Sequence, residues 1–283
     1  MTSNSTITSK KFYLDSDTKI TILTNSPSVE AQDWFIPQDQ VFKTRAAVNA
    51  KAGTRRMLAH FTITPGWDGW LDKVDEGIER YKPDSWKGYS VGDNTHKELD
   101  GHPWRADDEK LMYPFYEKIA KAGINNVCIH KGLFAPAVAE KFPRLLPYAD
   151  VSDIGQIFAW TAVAQPRLAA ALMGMLVKGL GSDRIVWGTD AVWTGAPQWQ
   201  IEGLRRLEIP EDMQKKYGFK PLGPADGPIK TAIFGDNSAR LYGLDRQHAE
   251  RVNHDRFAAM KSDYLANGGG RSNLRYGYVA RSA

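Results

Sequence analysis

Along the first half of the chain the apolar positions switch between a period of two and a helical period, which is the pattern of alternating strands and helices. Residues 19–24, Lys-Ile-Thr-Ile-Leu-Thr, alternate and are rich in β-branched side chains, so they predict a strand. Residues 38–52 place Val41, Arg45, Val48 and Ala52 at helical spacing, and Gly53 supplies a stop. A strand over 57–64 ends at Pro65-Gly66. A helix over 69–80 then carries Leu71, Val74 and Ile78 on one face, and 86–89 reads as a short buried strand. From 107 to 122, Leu111, Phe115, Ile119 and Ala122 trace another helix face, and Val127–His130 is a strand that closes on an ionisable residue. Such alternation predicts an α/β fold with a parallel sheet.

The second half is more helical. Pro166–Leu180 is a strongly apolar helix, residues 184–190 read as a strand ending in Asp190, and 229–242 as a last core helix stopped by Gly243. Beyond it, residues 245–283 hold seven basic and four acidic side chains, which is most of the net charge of +4. One helix is expected there, in a basic tail that is either a solvated arm packing on a neighbouring surface or a docking arm for a specific partner. Residues 90–105 lack a period and hold Gly, Pro, Asp and Asn, as a loop folding over a pocket mouth would. The expected division is a polar N-terminal segment (1–11), a barrel domain (12–244) and the C-terminal tail (245–283).

Composition narrows the function classes. Hydrophobic residues at 42% and charged residues at 25% exclude a disordered or collagen-like chain, and no apolar run of membrane-spanning length occurs. With 37 basic against 33 acidic side chains, charge alone does not point to nucleic acid. The single cysteine, Cys128, excludes an intramolecular disulfide framework. The polar start lacks the apolar centre of a secretory signal, so a cytoplasmic location is expected.

In a parallel α/β barrel the C-terminal strand ends converge on the site, which makes the strand-end residues His130 and Asp190 the first candidates. An imidazole and a carboxylate are half of a zinc or manganese site in which the metal acidifies a water and polarises a carbonyl. The competing readings are a hydrogen-bonded core histidine and a helix-capping aspartate. Lys87, at the end of its strand, either pairs with a substrate carboxylate or neutralises the rim. Trp193 either walls a flat substrate or packs a loop. Cys128 lies on the same strand face as His130, either as a substitute ligand or as core; His60 reads as structural, and His96 and His102 fall in the long loop.

Ile-His-Lys-Gly at 129–132, Val-Trp-Gly-Thr-Asp at 186–190 and Ile-Phe-Gly-Asp-Asn-Ser-Ala-Arg-Leu-Tyr-Gly at 233–243 together resemble the amidohydrolase-2 branch of the metal-dependent amidohydrolases, which includes the aminocarboxymuconate-semialdehyde decarboxylase type. Leu-Asp-Ser-Asp-Thr at 14–18, Arg45 to Asn49 and Trp-Lys-Gly-Tyr at 86–89 extend the resemblance over 12–243. It implies a TIM-like (β/α)8 barrel with a divalent metal, zinc or manganese, at its C-terminal rim. His130 matches the fifth-strand ligand, and Asp190 the eighth-strand ligand and proton-transfer carboxylate.

The chain also departs from that pattern. The family's first strand carries His-x-His, which occurs nowhere here, and its sixth strand carries a histidine for which 151–167 has no counterpart. The expected barrel is therefore incomplete or distorted, short of its first strand and its sixth-to-seventh strand region, and the missing ligands put metal retention in question. Two functions follow: a metal-dependent hydrolase or non-oxidative decarboxylase acting on a small carbonyl or carboxylate compound, or a shortened, catalytically silent homologue serving as a binding or assembly subunit. Open sheet edges would be covered by a second copy of the chain or by a partner.

Overall fold

The computed structural model describes residues 9–25, 36–89, 104–130, 165–191 and 197–270. Trp193, residues 90–103 of the expected loop, and 151–164 of the region expected to lack a strand lie outside these. The chain divides into two compact units, Ile20–Leu145 and the pair Met1–Lys19 with Leu146–Ala283.

In the continuous unit, β1 (Thr21–Leu23), β2 (Met57–Thr62), β3 (Ser85–Tyr89) and β4 (Val127–His130) form one parallel sheet in chain order, curled as part of a barrel. The crossovers carry α1 (Gln38–Ala52), α2 (Trp70–Glu76), which continues as a π-turn over Gly77–Tyr81, and α3 (Tyr113–Lys121). Right-handed crossovers that step one strand at a time in the same direction put every helix on the same face. The core shows this. Val41 and Phe42 of α1, Trp70 and Val74 of α2, and Phe115 and Ile119 of α3 pack with Ala59, Phe61 and Trp86 of the sheet. Trp86 is fully buried at the centre, edge-on to Phe61 and Phe115 with ring centroids 5.6 Å away. Its indole N–H donates to the Ile124 carbonyl at 2.9 Å, so the largest apolar side chain of β3 leaves no buried donor unmet.

Two side chains fix the sheet's N-terminal edge. The Asn49 carboxamide accepts from the Arg56 and Met57 amides at 2.8 Å and donates to the Met57 carbonyl at 2.9 Å, doing for the first residue of β2 what a neighbouring strand would do. Asp84 accepts from the Ala59 amide at 2.8 Å and from Arg45 at 3.0 Å, and it also pairs with Arg55. Arg45 reaches on to the Tyr81 and Lys82 carbonyls.

In the discontinuous unit, α4 (Pro166–Leu180), α5 (Gln198–Arg206), α6 (Glu211–Tyr217) and a helical run of α7 (Pro228–Thr231), a π-turn (Ala232–Asp236) and α8 (Asn237–Leu241) surround a core of Ala169, Met173, Ile185, Leu204, Phe219 and Ile233. Gly174 of α4 lies flat on Phe219, where an added Cβ would come within 2.5 Å of the ring. The tail continues the fold as α9 (Arg246–Asn253) and α10 (Arg256–Ala266). Two helices stand where the periodicity predicts one, because Asp255 caps a fresh start by accepting from the Ala258 amide at 3.0 Å, as Asp245 does for His248 at 2.7 Å. Phe257 stacks on Tyr13 at 4.9 Å and joins the tail to a π-turn at Lys10–Leu14.

The segment 184–190, expected as a strand, has ladder pairing at Val186 alone. Side chains take the backbone groups a strand would offer: Asn237 donates to the Ser182 and Ile185 carbonyls at 2.7 Å, and Gln200 to the Thr189 carbonyl at 2.6 Å. No helix among the described residues is long and apolar enough to cross a membrane.

Replacing Asn49 by Ala leaves the start of β2 without its three side-chain bonds. We expect the unfolding free energy, measured by denaturant titration, to fall by about 1–3 kcal/mol.

Candidate functional site

Because strand side chains alternate, a helix-facing set at Ala59, Phe61 and Trp86 sends Thr62, Lys87, Tyr89, Cys128 and His130 to the opposite, inner face of the sheet. Register then sorts them into rows. Thr62, Lys87 and Cys128 stand side by side, and Tyr89 faces His130 one row nearer the C-terminal edge. His60 and Ser85 pair one row deeper, both buried.

Lys87 is only 4% exposed. Its Nζ donates to the Cys128 Sγ at 3.4 Å and lies 5.3 Å from the Tyr89 ring centroid, a cation–π distance. His130 meets the other partner of this cluster, since the Tyr89 and His130 rings are 5.2 Å apart and inclined by 31°. The structure therefore brings Lys87 and His130 onto one polar face through Tyr89. Cys128, the possible substitute ligand, is half-buried against the ammonium.

Gly88 explains the remaining position of the Trp-Lys-Gly-Tyr run. It is on the helix side, where the Trp104 indole lies against the backbone; a Cβ there would be 2.6 Å from the indole ring. That approach lets the Trp104 Nε1 donate to the Tyr89 carbonyl at 2.7 Å.

Asp190 belongs to the other unit. Its backbone is left-handed, φ +46°, a conformation costly for most side-chain-bearing residues and better tolerated by Asp and Asn. Gln200 on the Thr189 carbonyl and the buried Ala191 hold the chain on either side of it. The neighbouring Trp187 is edge-on to Phe234 at 5.1 Å, within the helical run that carries Asn237.

The described residues include no group of three or more His, Cys, Asp or Glu side chains arranged to hold a metal ion. On the inner face the donors are the rim imidazole of His130, the deeper buried imidazole of His60 and a thiol beside an ammonium, and the strands β1–β4 carry no carboxylate. Catalytic zinc is commonly held by three protein ligands, so this face by itself does not fit the metal that the resemblance implies.

Compared with family models, curated proteins and solved structures, the chain gives no match.

The segment 14–18, part of the resemblance, is a structural hub. Asp17 accepts from Arg205 at 2.8 Å, from Gln198 Nε2 at 3.1 Å and from Lys261 at 3.4 Å. Burial opposes the Arg205 charge, but Asp17 and Glu202 outweigh it and hold its proton more tightly than usual. Sequence reasoning passed over Asn25, Gln38, Thr62 and Tyr89, which surround the inner-face cluster. For Tyr89 a signal existed, since it stands two residues after Lys87 and hence on the same strand face.

Two outcomes test these local arrangements. Gly88→Ala forces the Trp104 indole off the backbone, with an expected loss of about 1–3 kcal/mol in stability and a changed near-ultraviolet circular dichroism band. Asp190→Gly relieves the left-handed backbone, so by thermal unfolding it should be more stable than Asp190→Ala by about 1 kcal/mol.

Proposed function

We propose that the chain acts on a small carboxylate-bearing compound, by hydrolysis or by non-oxidative decarboxylation, with the inner face of β1–β4 as its substrate wall. The observation that carries this reading is the buried ammonium of Lys87 on the inner face of a parallel sheet, one row from its C-terminal edge. Sites in parallel α/β folds gather at that edge. In a water-poor setting an ammonium holds an anionic group more strongly than it does in solvent. Lys87 orients the substrate by its carboxylate, while the Tyr89 and His130 rings offer flat surfaces to the rest of it.

The roles of His130 as metal ligand and of Asp190 as metal ligand and proton carrier come from the amidohydrolase-2 resemblance, as does a completed (β/α)8 barrel. In hydrolysis, a carboxylate in that role takes a proton from the attacking water and passes it to the leaving group as the carbon–heteroatom bond breaks. In decarboxylation it delivers the proton to the carbon that carbon dioxide leaves. A left-handed backbone at Asp190 is the kind of local strain that persists where a side chain has a task.

The test is metal analysis of the purified full chain after equilibration with zinc or manganese, followed by a screen of small aromatic and aliphatic carboxylates. Metal dependence shows as about one equivalent of metal, lost in His130→Ala and in Asp190→Ala, with the ligands that the inner face of β1–β4 does not supply coming from elsewhere in the chain. Lys87→Met should keep the metal but raise KM for any converted carboxylate with a smaller change in kcat. A chain that takes up neither metal and converts no carboxylate overturns the proposal.

A further inference from the structure

We infer that Asn25 and Tyr89 are positioning residues that hold Lys87 and His130 in place across the ends of the strands. The inference rests on the carboxylate-binding reading for what those two groups do, and on the following geometry for how they are held.

Asn25 is 1% exposed and lies two residues past the end of β1. Its Oδ1 accepts the Thr62 hydroxyl from the last residue of β2, and its Nδ2 donates to Gln38 Oε1 at 3.3 Å. Gln38, the first residue of α1, accepts from the Thr62 amide at 3.1 Å and donates to the His60 carbonyl at 3.4 Å. One buried carboxamide thus ties β1, the start of α1 and the end of β2. Its own backbone carbonyl then takes the Tyr89 hydroxyl at 3.2 Å, alongside that of Thr24 at the same distance, which extends the tie to β3.

Tyr89 is anchored at both ends, through its phenol on Asn25 and through its carbonyl on Trp104. The Trp104 bond holds the Tyr89 backbone and the Asn25 bond holds its hydroxyl, so the ring between them is restricted to rotamers that keep the hydroxyl on Asn25. That ring is the surface shared by the Lys87 ammonium and the His130 imidazole. These side-chain bonds sit on the edge where the candidate groups sit and link the strand ends outside the ladder registers. Their effect is to set the spacing of a cation and an imidazole that belong to different strands.

The experiment uses the full chain labelled with carbon-13 at lysine Cε and histidine Cε1, observed by nuclear magnetic resonance at one fixed pH. The aromatic ring displaces the Lys87 and His130 signals from their ordinary positions, and Tyr89→Leu marks where they fall without it. Thr62→Val and Tyr89→Phe are nearly isosteric and remove one hydrogen bond each on opposite sides of Asn25. With unchanged far-ultraviolet circular dichroism, each variant should move both signals together toward the Tyr89→Leu positions, and Thr62→Ser, which keeps a hydroxyl, should leave them at the native ones. Signals in Thr62→Val and Tyr89→Phe that coincide with the native chain overturn the inference. Moved signals in a chain that takes up no metal and converts no carboxylate sustain the tie while removing the functional reading; unmoved signals in an active chain do the reverse.

Discussion

In a parallel sheet whose strands follow chain order, each crossover returns to the same side, and α1, α2 and α3 must share one face of β1–β4. That face takes the aromatic mass of the unit, with Phe42, Phe61, Trp70, Trp86 and Phe115 in one cluster. None of α1, α2 and α3 packs on the opposite face, and its strand positions include polar side chains. Thr62, Ser85 and Lys87 are nevertheless buried there, and polar groups at such depth need hydrogen-bonding or charged neighbours. The candidate chemistry of this protein sits on the face that α1, α2 and α3 do not cover, where burial makes the polar constraint strict.

A second theme recurs within each unit. Where the ladder does not supply partners, amide and carboxylate side chains do. Asn49 and Asp84 complete the N-terminal edge of the sheet, and Asn237 and Gln200 hold the stretch from Ser182 to Thr189. These bonds act on backbone groups and therefore fix the path of the chain, not merely one side chain. A path fixed in this way can carry a residue such as Asp190 in a conformation that a loosely held loop would relax.

Periodicity reads well where burial follows it. The bounds of Gln38–Ala52, Val127–His130 and Pro166–Leu180 come directly from apolar spacing with Gly and Pro punctuation. It fails at Gln198–Arg206, whose buried side includes Gln198 and Glu202, held in the Asp17 and Arg205 network, and Gln200, which donates to the Thr189 carbonyl; polar residues partnered in this way are invisible to a hydrophobic pattern. The apparent strand at 184–190 has the composition of a strand, but its carbonyls are bonded by side chains remote in sequence. Lys87 and His130 were legible as ionisable residues near strand ends. Asn25 and Gln38 were not, because their role depends on which strand neighbours which, and that is a property of the assembled sheet.

The pairing of Tyr13 with Phe257, supported by Lys261 donating to the Ser16 carbonyl across 245 positions of sequence, has a consequence for the order of events in folding. Contacts so distant along the chain carry a large closure entropy and form slowly. The unit built from Met1–Lys19 and Leu146–Ala283 cannot complete itself on a ribosome until α10 has been synthesised and has left the exit tunnel, whereas Ile20–Leu145 is a continuous stretch with mostly neighbouring-strand contacts. The half-barrel sheet is therefore able to form while the residues that precede it still wait for α10.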